Sequence, residues 1–198
     1  MTPQTSRLIF MFAAFAAGLV LCLSVVLLVA QRPSVSIPQP STVGGPFKLI
    51  DQEGRTVTEH DMKGKPFLVF FGFTHCPDVC PTALFDISEV FRKLGPDAGR
   101  ANALFITVDP ERDTPEALKS YLSSFDPTLR GLTGDPAAID AVVKAYRAYA
   151  KKVPNPDGSY TMDHTALVYL MDKEGRFVAP FNLKRRPEDS AADLRRYF

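Results

Sequence analysis

The sequence predicts an α/β domain with a mixed sheet, preceded by one N-terminal transmembrane helix. Two observations predict the domain: apolar runs alternate with amphipathic segments along the chain, and two further apolar runs flank a tight turn near its end. A third observation predicts the membrane helix. Residues 8–30 contain no charge, whereas every acidic residue lies at Asp51 or later.

The overall composition excludes several classes of protein. The chain carries 23 Lys and Arg against 22 Asp and Glu, which gives a formal net charge of +1. A nucleic-acid-binding protein normally has a basic surplus, so we expect no nucleic acid among the partners. The hydrophobic content of 45% argues against general disorder, and three cysteines are too few for a disulfide-rich scaffold.

The segment from Leu8 to Ala30 is predicted to be an uncleaved membrane anchor. As a helix it would extend roughly 35 Å, and the apolar core of a bilayer is about 30 Å thick. The alternative is a cleaved signal peptide, but its apolar stretch usually covers only about 7–15 residues. In addition, Leu28 stands where the cleavage site requires a small residue. Cys22 is interpreted as a thiol that fills space in the membrane helix.

A proline-rich segment follows the anchor. Residues 31–46 contain Pro33, Pro38, Pro40 and Pro46, a composition typical of an extended spacer. We therefore divide the chain into an anchor at residues 1–30, a linker at residues 31–46 and one domain at residues 47–198. The domain has a suitable size for a single hydrophobic core.

The first half of the domain predicts two buried strands with a helix between them. Phe67–Phe71 is a continuous apolar run, as expected of a strand that is covered on both faces. Pro81 suits the first turn of a helix, and apolar residues recur at helical spacing after it. Leu104–Val108 is the second apolar run and predicts the second strand.

The second half adds helices and a hairpin. Thr114-Pro115 and Asp135-Pro136 each supply a helix N-cap followed by a proline in the first turn. The apolar segments Ala166–Met171 and Phe177–Phe181 flank a turn sequence and predict a β-hairpin. A last helix is predicted to begin near Ser190. This order of elements predicts an α/β sandwich with a mixed sheet.

The two cysteines of the domain, Cys76 and Cys80, stand between the most hydrophobic strand and the helix that follows it. Such a position is a common place for a functional site, and the helix dipole favours a thiolate there. A disulfide between such near neighbours would close a small loop and would constrain the chain little. We therefore interpret the pair as a redox or a metal-binding site.

The residues alone leave redox and metal chemistry both open. A Cys-x-x-Cys pair would suggest a thioredoxin-type oxidoreductase, but this spacing is one residue longer and lets two sulfurs converge on one ion. Soft thiolates select copper(I) or zinc, and two thiolates with one imidazole suit a copper site of low coordination number. Among the histidines, His60 is expected in an exposed loop, and His75 is expected to point away from the cysteine beside it. His164 stands just before a buried strand.

Three ordered motifs resemble the SCO/SenC family. They are FFGFTHCPDVCP at residues 70–81, VDPERDTP at residues 108–115 and DHT at residues 163–165. The resemblance covers essentially all of residues 47–198. Members of this family are membrane-anchored copper proteins of cytochrome c oxidase assembly. The resemblance therefore implies the family's thioredoxin-like fold with an inserted β-hairpin.

The resemblance also implies a site and a function. The family binds one copper ion per chain through both motif cysteines and a distant histidine, which here are Cys76, Cys80 and His164. The implied function is that of a metallochaperone, not an enzyme, which delivers copper to the dinuclear copper centre of a cytochrome c oxidase subunit. Further expected partners are the membrane, other copper chaperones and thioredoxin-like reductants. The implied location is a bacterial inner membrane, with a single span and the domain in the periplasm.

A thiol–disulfide oxidoreductase that reduces the cysteines of the oxidase copper site is the main alternative, because the same two sulfurs either hold copper or exchange electrons. A peroxiredoxin-like peroxidase is a weaker alternative.

Some acidic residues near the motifs each have two possible interpretations. Asp78 acts on the thiols or on a partner, or it caps the helix. Asp163 orients His164 or is a turn residue. Asp109 and Asp113 are expected to fix a turn and a helix start.

Overall fold

The computed structural model describes residues 18–19, 21–24 and 43–198. Residues 18–19 and 21–24 are helical, and no helix in the described part of the chain combines the length and the apolar composition that a membrane span requires. The rest of the predicted anchor and residues 31–42 of the predicted linker lie outside the described residues. The anchor and the domain boundaries therefore stay predictions.

The described part of the domain contains nine strands, seven of which form one mixed sheet. They are β1 (Lys48–Asp51), β2 (Thr56–Thr58), β3 (Phe67–Gly72), β4 (Asn102–Thr107), β5 (Leu129–Thr133), β6 (Ala150–Pro154), β7 (Tyr160–His164), β8 (Val168–Met171) and β9 (Phe177–Pro180). The large sheet has the order β2-β1-β5-β4-β3-β8-β9. Strands β6 and β7 pair only with each other in a separate antiparallel sheet.

The centre of the large sheet carries the hydrophobic core. Strand β4 runs parallel to both β3 and β5, whereas β8 pairs with β3 in the antiparallel sense. All six residues of β3 are buried, as expected of a strand covered on both faces. The predicted strands at residues 67–71 and 104–108 are thus confirmed as β3 and β4. The predicted hairpin is confirmed as β8 and β9, with shorter ends than the apolar segments suggested.

Four α-helices of more than one turn are described, and each contains a proline in its first turn or at its start. They are α1 (Val79–Leu94), α2 (Pro115–Leu122), α3 (Pro136–Ala145) and α4 (Pro187–Arg195). Both predicted N-caps are confirmed, because the Thr114 side chain accepts from the Ala117 N–H at 3.2 Å and Asp135 accepts from the Ala138 N–H at 2.8 Å. Helix α1 packs against α4, and α2 packs against β5.

The hairpin of β6 and β7 is inserted between α3 and β8, as the family resemblance implied. Its strands are largely exposed, so they contribute little to the hydrophobic core. Because β7 ends at His164, the insertion brings this histidine to the end of β3. The mixed α/β architecture with an inserted hairpin is therefore confirmed.

Candidate metal centre

Both cysteines lie where the central strand gives way to helix α1. Strand β3 ends at Gly72, residues 73–78 form a loop, and α1 begins at Val79. Cys76 is half-buried in the loop, whereas Cys80 is fully buried in the first turn of the helix. The Cys80 sulfur packs directly over the glycine, since a Cβ on Gly72 would lie only 2.7 Å from it. A glycine is therefore needed at position 72 because any side chain there would collide with the Cys80 sulfur, and not because of an unusual backbone angle.

The hairpin adds a third donor atom to the two sulfurs. The Sγ atoms of Cys76 and Cys80 and a ring nitrogen of His164 all lie within 4.8 Å of one another. One of these separations, between Cys80 Sγ and His164 Nε2, is 3.5 Å. No second group of three such residues occurs in the described part of the chain. Two sulfurs and an imidazole form a soft donor set, of the kind that copper(I) or zinc prefers.

The imidazole of His164 is held so that Nε2 is the free nitrogen. Its Nδ1 lies 3.2 Å from the carbonyl oxygen of Thr165, which can only accept a hydrogen bond. This contact assigns the proton to Nδ1 and leaves a lone pair on Nε2, the atom that faces the thiols. The rings of Phe70 and Phe73 contact the imidazole edge-on, with centroid distances of 6.2 and 5.7 Å.

The two thiols have unequal environments. Burial raises the pKa of the Cys80 thiol well above its usual range, which is opposite in direction to the effect predicted from the helix dipole. The Cys80 backbone N–H points at the Cys76 sulfur at 3.4 Å. The metal-free site therefore keeps the proton on its buried cysteine.

Comparisons with known proteins agree with this arrangement. The family model described as SCO1/SenC matches residues 35–198. The chain belongs to the SCO1/SenC family. It is similar to the Arabidopsis thaliana "Protein SCO1 homolog 1, mitochondrial", which is 42% identical over 77% of this chain and 46% of the relative. The chain thus spans about half the length of that relative.

Solved structures with copper bound are among those that this chain resembles. Bradyrhizobium japonicum ScoI with copper bound is 68% identical, with a TM-score of 0.77 over 79% of this chain and 99% of that one. Yeast Sco1 with copper bound is 38% identical, with a TM-score of 0.72 over 78% of this chain and 87% of that one. The SCO1/SenC fold, including its thioredoxin-like core, is therefore shared along nearly the whole described domain.

A buried carboxylate fixes the cysteine loop of this SCO1/SenC domain. Asp113 is fully buried and accepts hydrogen bonds from the Thr74 N–H at 3.0 Å, the Thr74 hydroxyl at 2.7 Å and the Thr107 hydroxyl at 2.6 Å. Thr74 precedes Cys76 by two residues, so these bonds anchor the loop to the ends of β3 and β4. The sequence predicted that Asp113 helps to fix a turn or a helix start. Its hydrogen bonds to a threonine 39 positions away are visible only in the three-dimensional structure.

Other predicted residues surround the site without joining the three donors. Asp78 occupies the N-cap position of α1, but its side chain accepts no capping hydrogen bond, so the capping interpretation is wrong. Asp163 makes no hydrogen bond to His164 in the described structure, since the Thr165 carbonyl takes that place. The side chains of His60 and His75 are 70% and 55% exposed, which confirms that both point to solvent.

Two neighbouring cavities open beside the donor atoms. The smaller one, of about 250 Å³, is lined by Cys76 and His164 together with Asp163 and the loop residues. The larger one, of about 690 Å³, lies between the start of α1 and the segments at residues 166–168 and 180–184. Both cavities share Asp78, Val79 and Ala166. We call the larger cavity the α1 groove, and it is mainly apolar.

Proposed function

We propose that this chain binds one copper ion through Cys76 Sγ, Cys80 Sγ and His164 Nε2, and that it delivers the ion to the dinuclear copper centre of a cytochrome c oxidase subunit. The observation that carries the proposal is the convergence of these three soft donors within 4.8 Å. The copper held by B. japonicum ScoI and by yeast Sco1 supports the choice of metal. The chain acts as a membrane-anchored metallochaperone in the periplasm.

The buried thiol makes copper uptake dependent on pH. Since burial raises the pKa of Cys80, the incoming ion must displace a proton from its sulfur. The positive ion then compensates the anionic sulfur inside the protein, where a thiolate alone would be poorly solvated. His164 faces the thiols with Nε2, the ring nitrogen that does not contact the Thr165 carbonyl. Copper binding is therefore expected to release protons and to weaken as the pH falls.

Delivery requires a partner that reaches the same ion with its own ligands. The smaller cavity exposes Cys76 and His164 at the surface, whereas Cys80 lies underneath. A partner segment approaching over the α1 groove would contact Val79, which is 44% exposed, before it reaches the sulfur of Cys76. Partner ligands therefore replace the two half-buried donors first, and the fully buried sulfur releases the ion last.

A second candidate function is thiol–disulfide exchange with the cysteines of the oxidase copper site. The unequal burial of the two sulfurs favours it, because exchange needs one accessible sulfur and one behind it. The Cys76 thiolate attacks the partner disulfide, which forms a mixed disulfide and releases one partner thiolate. Cys80 then attacks the Cys76 sulfur, releases the second partner thiol and leaves a Cys76–Cys80 disulfide. The partner is reduced by two electrons and this chain is oxidised by two.

The variant His164→Ala separates the two functions. Two thiolates still bind copper(I), but copper(II) prefers nitrogen and oxygen donors and depends more on the imidazole. We expect the variant to lose the copper(II)–thiolate absorption band while thiol–disulfide exchange changes little. His75→Ala is the matched control and should keep the band. If His164→Ala keeps the band, His164 is not a copper ligand. If oxidase assembly in a set of variants correlates with their exchange activity and not with their copper binding, the second function is favoured.

A further inference from the structure

One arginine makes several of the contacts that hold the hairpin carrying His164 on the rest of the domain. The guanidinium of Arg112 lies over the ring of Tyr160, the first residue of β7, at 3.8 Å from the ring centroid. Its Nη1 also donates a hydrogen bond to the Tyr160 carbonyl at 3.1 Å. One side chain therefore holds both the backbone and the ring of the residue at which β7 begins.

A buried carboxylate completes this contact. Asp109, which is only 2% exposed, forms an ion pair with Nε of Arg112 and accepts a hydrogen bond from the Tyr160 hydroxyl at 3.0 Å. The Asp109 backbone N–H in turn donates to the Thr107 hydroxyl at the end of β4, at 2.9 Å. Asp109, Arg112 and Tyr160, which we call the Arg112 clamp, thus join the hairpin to the central sheet.

The clamp also reaches the wall of the metal site. The Arg112 guanidinium lies 5.8 Å from the centroid of the Phe73 ring. That ring contacts the His164 imidazole edge-on, and the imidazole places Nε2 at 3.5 Å from the Cys80 sulfur. The same side chain therefore contacts the start of β7 and the aromatic ring against which the histidine at its end is packed.

We propose that Arg112 is a positioning residue that sets the location of His164 Nε2 relative to the two sulfurs. The proposal rests on the copper site proposed above. A two-stranded hairpin is at best marginally stable by itself, so its place on the domain depends on such contacts. Cys76 lies in the loop between β3 and α1, Cys80 lies in α1, and the Asp113 bonds hold that loop without a contact from the hairpin. Because the Asp113 bonds to Thr74 remain, loss of the Arg112 side chain should displace the imidazole more than the two sulfurs.

The test compares Arg112→Met with two reference variants. Methionine keeps an unbranched apolar stem but removes the charge, the hydrogen bonds and the planar stacking. We expect copper(II) affinity to fall by about 10–100-fold, the range typical when a group that orients a metal ligand is lost. The copper(II)–thiolate band should shift, while copper(I) affinity changes less. Arg112→Lys restores only the charge and should recover part of the loss. Glu53→Gln, which breaks an exposed ion pair with Lys119 away from the hairpin, should behave like the unchanged chain.

A double-variant cycle decides whether Arg112 acts through His164. If it does, Arg112→Met lowers copper(I) affinity in the unchanged chain but causes no additional loss of copper(I) affinity in a chain that already carries His164→Ala, whose two thiolates still bind this ion. Equal losses in both backgrounds would overturn the proposal, because Arg112 would then act on the site by another route. An unchanged band in Arg112→Met would overturn it as well.

A measurement without copper keeps the clamp testable by itself. In the metal-free chain, Arg112→Met should accelerate amide hydrogen exchange in β6 and β7 while β3 and β4 remain protected as before. Unchanged exchange in the hairpin would refute the clamp even if the chain binds copper. Faster exchange in the hairpin of a chain that binds no copper would instead contradict the proposed function and, with it, the assignment of Arg112 to a metal site.

Discussion

The substitution Gly72→Ala places one methyl group between the central sheet and a proposed copper ligand. The added Cβ would lie 2.6 Å from Cε2 of Phe105 and 2.7 Å from Sγ of Cys80. Carbon atoms pack at about 3.5–4.0 Å, so relief of both contacts requires a movement of roughly 1 Å. Phe105 and Cys80 are fully buried, and neither side chain has an exposed end that can move into solvent.

The expected cost has one part in stability and one in binding. Overpacking of a well-filled core costs about 1–3 kcal/mol, so the urea midpoint of unfolding should fall while the denaturant dependence of the unfolding free energy stays unchanged. A sulfur displaced by roughly 1 Å exceeds the tolerance of about 0.2 Å in a metal–ligand distance. We therefore expect copper(I) affinity, measured by competition with a chromophoric chelator, to fall by about 10–100-fold.

Gly131→Ala is the matched control for this experiment. Its Cβ would lie 2.6 Å from Cδ1 of Leu122, so it introduces the same kind of clash in another strand of the same sheet. The two nearest side chains there, Leu122 and Leu118, belong to α2 rather than to the site. Both variants should unfold at lower urea concentration, but only Gly72→Ala should bind copper(I) more weakly. Equal copper(I) affinity in the two variants would refute the reasoning that Cys80 depends on the missing side chain.

Two further predictions concern the partner surface and acid stability. Val79→Asp, in the α1 groove, should slow copper transfer to the soluble copper domain of the oxidase subunit without weakening copper binding. Phe85→Asp, which changes an exposed residue of the same helix outside the groove, should leave the transfer rate unchanged. Equal transfer rates in the two variants would exclude the groove as the partner surface. Burial by itself raises the pKa of Asp51, but hydrogen bonds from the Arg55 and Glu53 backbone N–H groups and the Arg55 guanidinium outweigh it and lower this pKa. Its carboxylate therefore stabilises the fold above about pH 4 and loses this effect as the pH falls further, so unfolding titrations of Asp51→Asn and the unchanged chain should converge in acid.

The parts of the fold that were predictable have local causes. The apolar runs of β3 and β4 and the caps Thr114 and Asp135 are each visible within a few residues. Helix α1 begins at Val79, two residues before Pro81, because a proline anywhere in the first turn lacks only an N–H that has no partner within the helix. Helix α4 likewise begins at Pro187 rather than near Ser190. Local signals therefore predicted that these helices exist more accurately than they predicted the residue at which each one begins.

The strands that the residues did not predict have weak patterns of their own. Strand β5 contains an arginine and a glycine in five residues, and its glycine is explained only by the closeness of α2. Strands β6 and β7 lie mostly outside the core, so they lack the apolar alternation that marks a half-buried strand. They form because one pairs with the other and because contacts such as the Arg112 clamp hold the pair on the domain.

The same distinction applies to the site. The spacing of Cys76 and Cys80 pointed to a functional pair, since both residues belong to one loop and one helix turn. His164 lies 84 residues beyond Cys80, and only the family resemblance identified it as a metal ligand. The contacts that Gly72 and Asp113 make beside the site depend on how two strands and a helix pack together. No local sequence pattern predicts this packing.

The unequal burial of the two cysteines bears on which of the two proposed reactions the site favours. Thiol–disulfide exchange requires a thiolate in each attacking step, and burial keeps Cys80 protonated in the metal-free chain. Its attack on a mixed disulfide at Cys76 is therefore slowed. Copper removes this disadvantage, because the ion replaces the proton and compensates the buried anionic sulfur. The environment that impedes Cys80 as a nucleophile thus suits it as a metal ligand, which favours the proposed copper binding over the proposed thiol–disulfide exchange.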